Sequence, residues 1–292
     1  MEILLQNIVS GLLSGALYGL AALGLSLSFG VLKVLNVAHG ELIMLGGYTT
    51  FYLFALAGID PFLSMVPVFA VLVIFGLVLH ALLFRHIVKL DEENRIKNSL
   101  LISFGLTLIL QTLAVRLFTA DDRSVLTAYA STAWEWGGVR FPLVRVAGLA
   151  VAIVAVVLLE RFLSRTYWGK AIRATSENWT MAALTGIDIR RIYLVAFGLS
   201  AGLAGITGVL IATSFSVSPA IGLHWTLKAL IVVVLAGLGS MRGALYGGLL
   251  LGVVEALASY QFGSEYREIV GLLIFLIVLS IRPQGLFGRE HG

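Results

Sequence analysis

Long apolar runs separated by short polar connections dominate the chain. Read at helical length, they place spans at about 8–31, 40–57, 62–84, 99–118, 143–164, 192–213, 225–240, 243–261 and 267–282. A closed β-barrel is the other way to satisfy backbone polar groups in lipid, but it needs alternating polar positions, and Leu149 to Leu159 shows none. The first run, Ile8 to Leu32, is too long for a signal-peptide core and reads as an uncleaved span. Gly237, Gly239 and Gly243 interrupt the seventh and eighth spans, and the seventh is short. The predicted fold is an all-α polytopic membrane bundle of about eight or nine transmembrane helices, with room for broken or re-entrant ones. It forms a single domain over 1–292.

Composition agrees. The chain is 59% hydrophobic and 12% charged, with a mean hydropathy of +0.98. A soluble domain carries about 25% charged residues, so this chain lacks the charge to coat a water-facing surface. The absence of cysteine excludes disulfides and thiolate metal sites. The net charge of +4 is modest and gives no support to a nucleic-acid partner.

Basic residues set the sidedness. Lys33, Arg85, Lys89, Arg95, Lys97, Arg161, Arg165, Lys170, Arg173, Arg190, Arg191, Arg242, Arg282 and Arg289 fall on one side, 14 of the 20. The other side has Arg116, Arg123, Arg140, Arg145 and Arg267. The richer side is expected in the cytoplasm, with the N-terminus outside and the C-terminus inside. Lys228, near the outer end of its span, is expected to snorkel. The outer connection 119–142 carries Trp134 and Trp136, residues suited to the headgroup level.

No phosphate-binding Gly-x-x-x-x-Gly-Lys-Ser/Thr loop, His-Glu-x-x-His or Gly-x-Ser-x-Gly motif occurs, and no catalytic or metal-binding set is nominated. Energy for pumping must come from a partner or an ion gradient. Ionisable groups at membrane depth are costly and therefore candidates for function. Glu255, inside the eighth span, faces either a watery pathway or a cation on a neighbouring helix; Glu160, beside Arg161, reads as an end charge. Asn36, His39 and Glu41, in Asn36-Val37-Ala38-His39-Gly40-Glu41, interrupt apolar sequence either as a polar turn at the cytoplasmic face or as a broken helix lining a cavity. Gly198 and Gly202 have the small-xxx-small spacing of close helix packing, whether static or sliding, and Gly237 and Gly239 join the same packing class. Gly15-Ala16-Leu17-Tyr18-Gly19 recurs as Gly243-Ala244-Leu245-Tyr246-Gly247, a short echo that chance also explains.

The connection at about 165–191 is the longest on the cytoplasmic side. Ser176 is placed to cap a helix beginning near Glu177, and Gly186 to stop it. Trp179, Ala182, Ala183 and Gly186 then share a face. Such a face suits a groove on a soluble partner or the membrane surface.

These stretches carry a resemblance. Leu17-Tyr18-Gly19 through Asn36 to Glu41 and Gly46-Gly47-Tyr48, then Arg173-Ala174 through Glu177-Asn178, Met181-Ala182 and Gly186-Ile187, then Leu235 to Ser240 with Gly243-Ala244, Gly247-Gly248, Leu251-Gly252 and Glu255, occur together and in order. Over nearly its whole length the chain resembles the LivH-like permeases of branched-chain amino-acid ABC importers. Membership would imply a multi-pass protein of a bacterial or archaeal inner membrane. It would also imply a second homologous permease, two cytoplasmic ATPase subunits holding ATP and magnesium, and a periplasmic or extracellular solute-binding protein. The chain itself would hold no cofactor and be no enzyme. Segment 174–188 looks like the family's coupling helix, with Glu177, Asn178, Met181, Ala182, Ala183 and Gly186 docking the ATPase. Asn36, His39, Glu41 and Glu255 are the candidates for the pathway or its gate. Transport would proceed by alternating access. Val37 stands where many amino-acid members carry an aromatic residue, and urea or short-amide permeases are close relatives. A gradient-driven secondary transporter or channel is the competing class; it would need carboxylates at mid-membrane depth, for which Glu255 is the candidate.

Overall fold

The computed structural model describes residues 2–282 and 284–287. The helices are α1 (Glu2–Leu32), α2 (His39–Ala57), α3 (Pro61–Leu79), α4 (Arg85–Ile87), α5 (Glu92–Phe118), α6 (Leu143–Arg165), α7 (Tyr167–Glu177), α8 (Trp179–Leu184), α9 (Ile189–Ser214), α10 (Ile221–Ala236), α11 (Met241–Phe262) and α12 (Tyr266–Ile281). A π-helical turn, His80–Phe84, joins α3 to α4. Each of the nine predicted spans corresponds to a helix. Seven are long and apolar enough to cross a bilayer; α10 and α12 have 16 residues each. The outer connection also forms a small hairpin, β1 (Ala133–Trp136) with β2 (Val139–Pro142). Gly137 and Gly138 at its tip both have positive φ, as a tight two-residue turn of this kind requires.

Helix α1 is buried on all sides from Gly11 onward and forms the axis of the bundle. It runs antiparallel to α11: a Cβ at Gly15 would stand 2.8 Å from Leu249 Cα, and one at Gly19 would stand 3.0 Å from Leu245 Cα. The two Gly-Ala-Leu-Tyr-Gly copies therefore lie against each other. Lipid supplies no hydrophobic drive between helices, so this close backbone approach is what holds the pair together. Helix α9 packs on α3 in the same way, with Gly198 against Leu77 and Gly202 against Phe69 and Val73.

The mirrored arrangement extends further. Chain following α1 turns back into the bundle before α2 starts, and α2 then runs to the hairpin end. Chain following α9 does the same before α10, which runs to the opposite end, where Gly239 meets Gly30. Lys33, Arg161, Arg165, Arg173 and Arg242 line one groove of about 1250 Å³ there, so the basic connections share one end of the molecule. Arg289, counted with them, lies outside the described residues. Gly237 and Gly239, expected among the packing glycines of a span, lie in the turn after it, where Gly239 still closely approaches Gly30 of α1. Helix α10 stops at Ala236, and both glycines have positive φ in the turn to α11.

Candidate functional site

The interrupted segment is a break in helix deep in the protein, not a turn at the surface. Lys33, with φ 54°, reverses the chain, and residues 34–36 pass beside α5 without helical structure before a turn at Val37 and Ala38. A backbone leaving helical geometry in an apolar setting must find other partners. Leu35 N–H donates to Ser99 Oγ at 3.1 Å and Val37 N–H to Ser103 Oγ at 3.0 Å. From α10, Thr226 Oγ1 donates to Val37 O and accepts from Gly40 N–H, both at 2.9 Å. Arg95 ties down Leu32 O at 3.0 Å. The serines and the threonine thus hold the break open, a role that only their spatial placement reveals.

Asn36, His39 and Glu41 all lie at this break, each at most 1% exposed and each facing a different neighbour. Asn36 Oδ1 accepts from Ala38 N–H at 3.1 Å and shapes the turn into α2. His39 Nε2 is 3.0 Å from Ala21 O and must carry the proton to donate there, which leaves Nδ1 without a partner. Glu41 differs: both carboxylate oxygens are buried and neither has a hydrogen-bond partner. The carboxylate lies against Gly222 in the first turn of α10, where a Cβ would overlap it. The N-cap residue Ala220 gives α10 no side-chain cap. The first turn of α10, the positive end of its dipole, lies beside the carboxylate without donating a hydrogen bond to it. Two helix N-termini, those of α2 and α10, meet around one unpaired acid.

Glu255 belongs to a separate cluster. It accepts from Lys228 Nζ at 2.6 Å, Arg267 Nε at 3.1 Å and Tyr18 OH at 3.1 Å, and Arg267 also donates to Tyr18 OH. Of the two readings open for Glu255, the structure shows cation pairing. Lys228 does not snorkel: it is 4% exposed and turned inward to Glu255, because a paired ammonium inside costs less than an unpaired carboxylate. Glu160, read as an end charge, pairs with Arg242.

The connection between α6 and α9 folds as two helices. Ser176 is not the cap; its Oγ donates back to Arg173 O within α7. Asn178 breaks the chain and caps α8, its Oδ1 accepting from Met181 N–H at 3.0 Å. Gly186, with φ 84°, ends α8 as expected. Ala182 is buried, so it is no part of an outward face; Trp179, Met181, Ala183 and Leu184 are exposed, as are Glu177, Asn178 and Gly186 at the ends of α8. Among the described residues no group of side chains is arranged to hold a metal ion.

Residues 7–279 match the family described as branched-chain amino acid transport system / permease component. The permease protein BraD of the high-affinity branched-chain amino acid transport system of Pseudomonas aeruginosa is 32% identical, covering 98% of this chain and 96% of its own length. The LivH permease protein of Escherichia coli strain K12 is 30% identical over the same shares of each chain. A probable LivH from Methanocaldococcus jannaschii is 29% identical, covering 93% of this chain and 88% of its own. The chain belongs to this permease family. It is a multi-pass membrane component of an ABC-type importer, a transport subunit rather than an enzyme.

Proposed function

We propose that the chain forms half of the translocation pathway for branched-chain or other small amino acids, entering the cytoplasm by alternating access. What carries this reading is the meeting of α2 and α10 around unpaired Glu41, in a chain similar end to end to branched-chain amino acid permeases. Broken helices whose ends converge at depth offer backbone dipoles to a charged solute without exposing them to lipid. The other half of the pathway comes from a second, homologous permease; two cytoplasmic ATPases bind ATP and magnesium, and a binding protein outside delivers the solute. The basic end, with the C-terminus, faces the cytoplasm of a bacterial or archaeal cell.

Helix α8 is the coupling element in this scheme. Trp179, Met181 and Leu184 are exposed on α8, a small apolar knob for a groove on the ATPase. Asn178 and Gly186 fix its two ends, Glu177 flanks it, and Ala182 seats it on the bundle. ATP-driven approach of the two ATPases would move α8 as a rigid unit through α7, whose Ala171, Ile172 and Thr175 are buried. Asn36 and His39 shape the hinge between α1 and α2, and Glu41 meets the solute. Glu255 holds α1, α10 and α12 together around the pathway.

The test is uptake into proteoliposomes holding the full complex, with radiolabelled leucine, urea or acetamide outside. ATP- and binding-protein-dependent leucine uptake is the expected result. Uptake of urea or acetamide in place of leucine would move the assignment to the short-amide branch. Uptake driven by an ion gradient without ATP would overturn the scheme.

A further inference from the structure

At the basic end of the molecule, the groove of about 1250 Å³ lies between α6 and α7 on one side and the turn into α11 on the other, with Gly30 and Val31 of α1 between them. Its lining carries five cations and two acids. Arg242 is paired with Glu160, and the second acid, Glu177, is exposed to solvent. Lys33, Arg161, Arg165 and Arg173 have no carboxylate partner among the described residues; Lys33 lies 5.8 Å from the ring of Phe29. Ser240 and Met241, at the start of α11, line the same groove. The positive end of a 22-residue helix dipole therefore adds to the excess of positive charge. Like charges gathered in one concavity repel one another, and an anion placed among them relieves that repulsion.

Deeper along both walls the surface turns apolar. Val157 and Val154 stand one and two turns before Arg161 on α6, and Tyr246 and Leu250 stand one and two turns after Arg242 on α11. All four are exposed. Both helices are long and apolar enough to cross a bilayer, and both have an end at this groove. Cations at the mouth and an apolar strip beneath them match the depths of a phospholipid's head group and its acyl chains. A soluble phosphate would meet the cations and leave the strip uncovered.

We propose that this groove binds an anionic phospholipid of the adjoining leaflet. Its phosphate sits among Lys33, Arg161, Arg165 and Arg173, and an acyl chain lies between α6 and α11 along the apolar strip. The planar guanidinium fork suits two phosphate oxygens at once, and basic pockets between transmembrane helices are a recurring way of holding anionic head groups. Arg173 belongs to α7, which leads into α8, so a bound head group also ties the segment bearing α8 to the bundle. The site does not depend on which solute the importer carries.

The experiment counts lipid retained by the full chain, by native mass spectrometry after mild release from vesicles of equal parts phosphatidylglycerol and phosphatidylcholine. Wild type is expected to retain phosphatidylglycerol in preference to phosphatidylcholine. Arg161→Gln with Arg165→Gln is expected to weaken that retention at least about tenfold. Lys89→Gln with Lys170→Gln removes two exposed cations outside the groove and should stay within about twofold of wild type. Equal losses in the two pairs would reduce the effect to diffuse charge attraction and overturn the site, as would equal retention of the two lipids by wild type. Arg161 and Arg165 are exposed, so their exchange should leave the fold intact; if that pair is not recovered, Arg173→Gln carries the same comparison. Displacement of phosphatidylglycerol by glycerol 3-phosphate at similar concentration would assign the groove to a soluble phosphate and overturn the lipid. Loss of the lipid once the chain is assembled with its partner subunits would show that a protein occupies the groove, and would overturn it as well.

Discussion

Lys228 on α10 and Glu255 on α11, 27 residues apart in sequence, form an ion pair at 2.6 Å with both side chains buried. Arg267 closes the other side of the carboxylate at 3.1 Å, and Tyr18 donates from α1. Four helices are thereby tied to a single acid.

Removing Glu255 leaves Lys228 buried without its acid, whereas removing Lys228 leaves Glu255 held by Arg267 and Tyr18. Glu255→Leu alone is expected to cost about 3–5 kcal/mol, Lys228→Met less, and the double variant less than the sum. Thermal unfolding of the detergent-solubilised protein across this cycle measures the coupling. Strictly additive losses would show that the pair contributes nothing as a pair.

Close backbone approach makes a second prediction. Gly222→Ala places a methyl group on the Glu41 carboxylate, and Gly40→Ala places one on the backbone of α10; both are expected to abolish recovery of folded protein. Gly105→Ala, where a Cβ meets nothing within 4 Å, is expected to be neutral or stabilising by up to about 1 kcal/mol. Size-exclusion profiles of a fluorescent fusion would separate the two classes.

The break before α2 depends on hydroxyls from α5. Ser103→Ala strips the acceptor from Val37 N–H and is expected to cost about 1–3 kcal/mol. Hydrogen exchange at Val37 should accelerate while exchange along α9 is unchanged. Equal acceleration in both places would mean that the segment is not held locally.

At the basic end, Asn178→Ala is expected to fray α8 at a cost of about 0.5–2 kcal/mol, whereas Ser176→Ala should leave it intact. Leu184→Glu, on the exposed side, should abolish copurification of the ATPases without lowering the unfolding midpoint. Ala182→Trp, on the buried side, should lower that midpoint. Retention of the ATPases by Leu184→Glu would argue against α8 as the coupling element.

One alkaline transition is expected outside the membrane. Tyr129 donates to Asp60 at 2.7 Å, and burial together with this acid pushes its phenol from the usual 10.0 up to about 12. Above pH 10 the unfolded chain releases that proton first, so stability contributed by the pair is present below 10 and declines as pH rises toward 12. Tyr129→Phe should flatten that part of the pH–stability curve.

How far these features could be read from residues alone differs by feature. The nine helical segments were legible because a bilayer demands unbroken apolar length, and Leu149–Leu159 or the run into Gly198 admits no other reading. The stop at Gly186 was legible as well, since glycine takes positive φ without strain. The capping residue was not: Ser176 and Asn178 are both good caps, and the choice turned on where α7 runs out.

By itself the sequence determined that the protein is a membrane-embedded helical bundle with its basic connections on one side, and which permease family it belongs to. These follow from composition, period and local motif, which act over a few turns of chain. Only the tertiary structure decided that Asn36 to Glu41 form a buried break, that Lys228 turns inward to Glu255, and that the Glu41 carboxylate is buried without a hydrogen-bond partner. Each of those outcomes depends on a partner supplied by a distant helix: Ser103 for Val37, Glu255 for Lys228, Gly222 for Glu41. A residue in an apolar interior takes its role from whichever group packing brings within hydrogen-bonding reach, and separation along the chain does not encode that.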